Sequence, residues 1–243
     1  MEANYQTGMT SKITIQLLLP LAAVAAGCAL LSCKPKATMR ATCTHASLDS
    51  LLEASQTNLH FSGTHFSGAE SDSVVFGAPP GQTTWIAARW EGPPDGASII
   101  VGCDGRLLAA ARTGYALHLA RGPTRVGFAE TVLLEESPGG GTGHEQRDLV
   151  LLGRSGNSID SLWRVTSYDR DQSMLNSPGV EETRSANISA TGDTIDVVGV
   201  RKTSSYASAT NKWNVRDSTV LPPERFCWNA ARRRYQKCGP GHV

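Results

Sequence analysis

The sequence predicts a mostly β protein: an antiparallel sandwich, barrel or small propeller-like domain with one short N-terminal helix. The 243 residues include 24 glycines and 12 prolines beside 40% apolar residues, which indicates many turns joining short elements. Short apolar runs are bounded by clusters of Gly, Pro, Asp or Ser, and turns recur about every 8–12 residues. No constant internal period accompanies these turns, so a repeat array is not indicated.

The chain opens with a segment typical of an export signal. Residues 13–31 are almost entirely apolar and are interrupted by Pro20. A membrane-spanning helix needs about 20 predominantly apolar residues, so length alone does not exclude one. The proline and the small residues that follow favour a cleaved secretory leader instead. Either Met1 or Met9 is the initiator, and Met9 leaves the cleaner basic start.

The end of this leader, Leu30-Leu31-Ser32-Cys33, resembles a bacterial lipobox. The resemblance implies that Cys33 is lipidated and anchors the chain in membrane lipid. Lys34 follows where an inner-membrane lipoprotein would carry aspartate, which implies the outer membrane, with the body facing the periplasm. Cys28 is the alternative lipidated residue, and an ordinary secretory leader without lipid is a second alternative.

These features predict three segments. Residues 1–32 are expected to form a lipoprotein signal peptide, 33–57 a lipidated tether with a short helix, and 58–243 a single β-rich periplasmic domain. The glycine-rich stretch 136–148 is either a hairpin loop or a division between two lobes.

The predicted helix lies in SLDSLLEASQ, residues 47–56. Ser47 is suited to the N-cap position, because its hydroxyl can accept a hydrogen bond from a free amide of the first turn. Leu48, Leu51 and Leu52 share one helical face and predict its buried side.

The remaining signals are typical of strands. Asp104-Gly105 is a hairpin signal that would fold 97–103 back on 106–112. The predicted strand runs are NLHFSG (58–63), SVVFGA (73–78), TTWIAARW (83–90), ASIIVGC (97–103), RLLAAAR (106–112), YALHLAR (115–121), TRVGFAETVLLEE (124–136), DLVLLGR (148–154), SLWRVTSYD (161–169), ANISATG (186–192), TIDVVGVRK (194–202) and RFCWN (225–229).

Alternation along TTWIAARW predicts which of its tryptophans is buried. Side chains two apart on a strand share a face, so Ile86, Ala88 and Trp90 form one face that suits burial. Trp85 and Arg89 then lie on the other face, and Trp85 is expected to be the exposed ring.

Cysteine counting predicts two disulfides in an oxidising compartment. Cleavage before Cys33 leaves Cys43, Cys103, Cys227 and Cys238, whereas cleavage before Cys28 leaves an odd thiol. Cys227 opposite Cys238 would close a hairpin that pairs Trp228 with Lys237 around a turn at 231–234. A ring of that size contributes about 3 kcal/mol by restricting the unfolded chain. Cys43 would then pair with Cys103, although four cysteines admit three connectivities.

The tip of this hairpin is the predicted partner-binding site. Arg232, Arg233, Arg234 and Tyr235 would form a basic finger for an acidic partner, because the guanidinium fork pairs bidentately with carboxylates and phosphates. Such a partner is an enzyme cleft lined with carboxylates or the phosphates of outer-membrane lipid. A solvated turn is the alternative, since runs of charge are usually solvent-exposed.

Catalytic and metal signals are weaker. His144, Asp148, Ser155 and Ser158 are hydrolase candidates, but Gly156 follows Ser155 directly, so the motif lacks the second spacing of the Gly-x-Ser-x-Gly nucleophile elbow. A metal site is not predicted from His60 and His65, whose odd spacing places them on opposite strand faces, nor from the acidic turn Asp169-Arg170-Asp171 with Asn176, which lacks the glycine and distal glutamate of a calcium loop. We expect no cofactor and no enzymatic activity.

The net charge of +1 argues against nucleic acid as a partner. The sequence therefore predicts a lipid-anchored β-domain that acts by binding or in an envelope-associated structural role. The lipobox and the closing Trp228-Asn229 … Arg234-Tyr235 hairpin resemble those of periplasmic immunity proteins and lysozyme inhibitors. That resemblance implies occlusion of a lytic enzyme's acidic cleft. A secreted hydrolase is the remaining alternative.

Overall fold

The computed structural model describes residues 43, 47, 50–54, 70–89, 95–138, 140–141, 143–172 and 177–239. Several of the predictions above lie outside these residues and are not addressed by the structure: the leader with Cys28 and Cys33, the run 58–63 with His60 and His65, and the positions Leu48, Trp90 and Asn176.

The described chain is antiparallel β-structure with one short helix, as predicted. Helix α1 spans residues 50–54. The strands are β1 Glu70–Phe76, β2 Thr83–Arg89, β3 Asp95–Gly102, β4 Leu107–Arg121, β5 Glu130–Ser137, β6 Gly140–Gly141, β7 His144–Ser155, β8 Ser158–Asp171, β9 Gly179–Ile188, β10 Thr194–Ala207, β11 Lys212–Asn229 and β12 Arg234–Lys237. They form one sheet in the order β1-β2-β3-β4-β5-β7-β8-β9-β10-β11-β12, with β6 paired to β7. Within the described residues no pairing joins the first strand to the last, so the sheet is open.

Helix α1 begins where the sequence predicts. The Ser47 hydroxyl accepts a hydrogen bond from the Ser50 amide at 3.2 Å, and the Leu51 amide donates to the Ser47 carbonyl at 3.1 Å. Leu51 and Leu52 are buried against Ala88, Ala97, Ile99 and Val101 of β2 and β3. The N-cap prediction is confirmed.

Strand β4 changes partners halfway along its length. Residues 107–114 pair with β3, and residues 115–121 pair with β5. Two carboxylates bond β4 amides around this change: Glu136 accepts from the Gly114 amide at 2.7 Å, and Asp72 accepts from the Leu119 amide at 2.8 Å. Near the point where β4 changes its partner strand, these carboxylates thus accept the hydrogen bonds of two β4 amides.

The part of the sheet formed by β2 and β3 is covered on both faces. Its face opposite α1 packs against β5 and β7 through a cluster that includes Trp85, Ile100, Leu134 and Val150. Trp85 has no exposed surface, so the prediction that it is the exposed ring is wrong. Alternation assigns side chains to two faces but does not reveal that both faces are covered.

The opposite face of β7 and β8 packs against the C-terminal strands. Leu151, Leu162, Trp163 and Val165 meet Ile195 and Val197 of β10, together with rings from β11 and β12. Trp163 contacts Phe226 edge-to-face, with ring centroids 5.8 Å apart. The aromatic run at the end of β11 is therefore part of the core.

Both predicted disulfides are formed, Cys43–Cys103 and Cys227–Cys238. The register of the C-terminal hairpin differs from the prediction. Trp228 pairs with Tyr235 rather than with Lys237, and Cys227 lies opposite Gln236. The disulfide links diagonal positions, because the Cys238 amide donates to the Arg225 carbonyl at 2.9 Å. The turn accordingly falls at residues 230–233, where Arg233 has a left-handed backbone (φ 53°).

Two further connections bear on the predictions. Asp104-Gly105 lies in the β3–β4 hairpin, where Gly105 has φ 79° and donates to the Gly102 carbonyl at 2.9 Å, so that prediction is confirmed. Strands β5 and β7 pair directly from Glu130↔Arg154 to Glu136↔Asp148. The glycine-rich stretch between them therefore connects two neighbouring strands of one sheet.

Candidate ligand-binding groove

The four residues of the predicted basic finger have different environments. Arg232 and Arg234 are exposed. Arg233 folds back onto the body: it donates to the Gly127 carbonyl at 2.7 Å and the Ser155 hydroxyl at 2.9 Å, and its guanidinium lies 4.5 Å from the Phe128 ring centre. Arg233 therefore attaches the hairpin to the neighbouring strands.

Tyr235 is not available to a partner, and its prediction as a contact is corrected. Its side chain is 5% exposed and packs against Trp228, with ring centroids 5.2 Å apart. The hydroxyl accepts from Arg125 Nε at 2.7 Å and donates to the Gly192 carbonyl. Burial raises the pKa of Tyr235, and the nearby Arg125 charge opposes that rise only in part. The ring faces inward because strand alternation turns the residue after Arg234 toward the core.

The hydrolase candidates do not converge on one site. His144 and Ser155 lie at opposite ends of β7, about 36 Å apart at the rise of an extended strand. His144 pairs with Asp169 at 3.1 Å, whereas Ser155 receives the bond from Arg233. Ser158 bonds the Ser155 carbonyl at 2.9 Å. These residues offer no nucleophile held by a base.

Asp148, the last of those candidates, belongs to a buried acidic pair that the sequence did not reveal. Glu136 and Asp148 lie opposite one another on β5 and β7, with side chains 1% and 5% exposed. Arg164 of β8 bridges them, with Nη2 2.6 Å from Glu136 and Nη1 2.9 Å from Asp148. One guanidinium bridges two carboxylates, which makes this cluster a structural clamp.

A groove of about 310 Å³ opens on the face of β9, β10 and β11 that also carries Val197 into the core. We call this the inner face. The register between β10 and β11 shifts here: Val197 pairs with Glu224, but Gly199 pairs with Leu221. Pro222 and Pro223 fall within the shift, where their missing amides break no ladder hydrogen bond. The groove is lined by Arg184, Val197, Gly199, Arg201, Leu221, Pro222 and Glu224.

Gly199 makes room for the Arg184 side chain in the groove. A Cβ built on Gly199 would lie 2.8 Å from Arg184 Cγ and 3.1 Å from Leu221 Cδ1. Without that carbon, the Arg184 side chain reaches from β9 across β10, and its Nη1 lies 3.7 Å from Glu224 on β11. Any larger residue at position 199 would displace this arginine.

Two arginines and two glutamates set the electrostatics of the groove. Burial would raise the pKa of Glu182, but hydrogen bonds from Arg201 (2.6 Å) and Arg184 (3.2 Å) outweigh it and lower that pKa below its ordinary value. Lys237 Nζ lies 2.6 Å from Glu224. Each carboxylate of the groove thus has two basic neighbours.

No candidate in the sequence analysis pointed to this groove. Its lining residues come from three strands and approach one another only through the β10–β11 register shift. Two signals were nevertheless present in the sequence: Gly199 inside a strand run, and Pro222-Pro223 within what is otherwise an extended segment. Both are typical of a β-bulge or a close approach.

Comparison of the chain with protein-family models, with curated proteins and with solved structures gives no match. Of the helical residues that the structure describes, none belongs to a helix with the length and apolar content needed to cross a bilayer. Among these same residues, no three His, Cys, Asp or Glu side chains are grouped to hold a metal ion.

Proposed function

We propose that the chain is an exported, lipid-anchored binding protein of the bacterial envelope, and that the groove on the inner face of β9–β11 is its ligand site. The groove is the observation that carries the proposal. It combines an apolar floor with a small number of oriented charged groups, which is typical of small-ligand and peptide sites.

The disulfides support the location. Cys43–Cys103 joins the segment before α1 to the β3–β4 turn, and Cys227–Cys238 closes the last hairpin. Structural disulfides persist in the periplasm and outside the cell, whereas cytosolic thiols are kept reduced. Anchoring through Cys33 rests on the lipobox resemblance and is tested separately, by labelling with radioactive palmitate in a Gram-negative host. We expect Cys33→Ala to abolish the label and Cys28→Ala to leave it.

Binding through the groove is tested by photo-crosslinking in intact cells. A photo-reactive residue at Leu221 should yield a discrete adduct, because Leu221 lines the groove. The same residue at Val198, which is 53% exposed, serves as the matched control on the opposite face of β10. Adducts from both positions, or from neither, would contradict the groove as the functional surface.

A second function is favoured by one observation: Arg232 and Arg234 are exposed on a hairpin closed by a disulfide. The chain would then inhibit, or give immunity to, a peptidoglycan-lytic enzyme by placing these arginines between its catalytic carboxylates. Arg233 is left unchanged in the variant because it attaches the hairpin to the neighbouring strands. Inhibition of a purified muramidase that is unchanged in the Arg232→Ala/Arg234→Ala variant, or that never occurs, would eliminate this function.

A further inference from the structure

We infer that the groove binds the carboxyl-terminal residue of a peptide: its free carboxylate, its last amide and an apolar last side chain. This inference rests on the proposed function and specifies the ligand of the same site. Its three parts follow from three groups of lining residues: the arginines, the apolar floor and Glu224.

The arginines select a carboxylate. Three basic groups border the groove, from Arg184, Arg201 and Lys237. They face two carboxylates, those of Glu182 and Glu224, so the groove has an excess of one positive charge. Arg201 places both Nε and Nη2 on one oxygen of Glu182, and within the described residues its Nη1 makes no hydrogen bond. Arg184 Nη1 makes only the long 3.7 Å pair with Glu224. Glu182 thus holds one side of each guanidinium, and the Nη1 atoms of Arg201 and Arg184, on neighbouring strands, are left as two donors for the oxygens of an anion in the groove.

The floor selects an apolar side chain of limited size. Val197, Leu221 and Pro222 supply apolar surface to the groove, and the missing side chain of Gly199 leaves room for Arg184 and Leu221 beside it. A groove of about 310 Å³ is at the small end of ligand sites, which are about 300–1,000 Å³. It suits one or two amino-acid residues better than a long acyl chain or a folded surface.

Glu224 distinguishes a peptide from other apolar carboxylates. Its carboxylate borders the groove 3.7 Å from Arg184 and can accept a hydrogen bond, as ionised carboxylates do. A peptide offers the amide of its last residue to this acceptor while its carboxylate meets the arginines. A fatty acid has no such donor. It would cover Glu224 Oε2, the oxygen that lies 3.7 Å from Arg184 and away from Lys237, without giving it a hydrogen bond, which is costly.

The test is calorimetric titration of the purified full-length chain with three probes. These are an N-acetylated dipeptide ending in leucine with a free carboxylate, the same dipeptide as its amide, and octanoate. We expect the free acid to bind with an affinity about tenfold or more above that of the amide, because the charge-assisted bonds are lost in the amide. Octanoate should bind at least as weakly as the amide.

Arg201→Gln should weaken binding of the free acid by about tenfold, since it removes one guanidinium from the groove. Lys202→Gln is the matched control: Lys202 pairs with Glu181 across the same two strands, but on the opposite face. It removes the same charge and should leave binding unchanged. Circular dichroism of both variants checks that they are folded.

Equal binding of acid and amide, or equal losses in the two variants, would overturn the inference. Binding of octanoate that matches the free acid would overturn the peptide assignment. The failure of the inference is distinguishable from that of the proposed function: if Leu221 still gives its selective adduct in cells while no probe shows carboxylate preference, the groove binds something other than a peptide terminus.

Discussion

Replacing Arg164 with methionine should destabilise the fold more than any comparable change at an exposed arginine. Arg164 makes ion pairs of 2.6 Å to Glu136 and 2.9 Å to Asp148, whose side chains are 1% and 5% exposed. Methionine keeps most of the side-chain volume but leaves two carboxylates facing one another without a counter-charge. Glu136 also holds the Gly114 amide where β4 changes partners, so the disturbance falls at a junction of the sheet.

The expected loss of unfolding free energy is about 3 kcal/mol. Hydrogen bonds to charged groups contribute about 1.5–3 kcal/mol each, and removing one partner of a buried ion pair costs about 3–5 kcal/mol. Arg164 itself is 48% exposed, so water replaces part of what is lost and the lower end applies. The measurement is urea unfolding followed by circular dichroism, with a shift of the midpoint at an unchanged slope.

Arg225→Met is the matched control. Arg225 is 47% exposed, close to Arg164, and also makes two bonds to a carboxylate, but its partner Asp196 is 40% exposed. Its loss should be much smaller, because exposed pairs contribute little. A double variant with Arg164→Met and Asp148→Asn should recover part of the stability by removing one buried charge. Equal midpoints for Arg164→Met and Arg225→Met would refute the clamp.

Three further predictions concern pH and self-association. Because burial raises the pKa of Tyr235, its contribution to stability is full below the ordinary tyrosine pKa of about 10 and is lost as the pH rises through the raised value. The free energy of unfolding should therefore fall less at alkaline pH in Tyr235→Phe than in wild type, and an equal fall in both would contradict this. Because the pKa of Glu182 is lowered, its contribution to stability is present above the ordinary carboxyl range and is lost as the pH falls through the lowered value. The free energies of unfolding of wild type and Glu182→Gln should therefore differ at neutral pH and converge in acid, and a difference that is constant with pH would count against this. Asp217 accepts a hydrogen bond from the Ser218 amide at 2.8 Å, on a part of β11 that pairs only with β10 among the described residues. Asp217→Ala should leave this edge amide free to pair with another chain and so promote association in sedimentation velocity, whereas a monomer at all concentrations would show that other features protect the edge.

The strands that sequence patterns located well are the ones whose side chains enter the core. The runs 83–90 and 97–103 differ from β2 and β3 by at most two residues at each end, and the run 148–154 lies within β7, because apolar residues there are bounded by turn residues. The first ten residues of β11, KWNVRDSTVL, were missed because almost all of them are exposed and follow no alternation. That segment is held by its pairing with β10, which is a non-local interaction that the pattern does not record.

The sequence also predicted the exposure of the basic finger at residues 232–235 only in part. Arg232 and Arg234 are exposed, as a run of charge predicts, but Arg233 and Tyr235 in the same run are held by Gly127, Arg125 and other distant residues. Exposure at a turn is a local property, whereas the contacts that tie Arg233 to the body and bury Tyr235 depend on which strands lie beside the hairpin.

By itself, the sequence determined the antiparallel β class, the N-cap of α1 and the Asp104-Gly105 hairpin, because each depends on spacing and side-chain chemistry within a short segment. It favoured the two disulfides without excluding the other pairings of the four cysteines. Only the tertiary structure decided that Trp85 is buried, that Glu136 and Asp148 share one arginine, and that three strands form a groove. Those features require residues far apart in the chain to meet, and the register shift and layer packing that bring them together are set by the whole sheet.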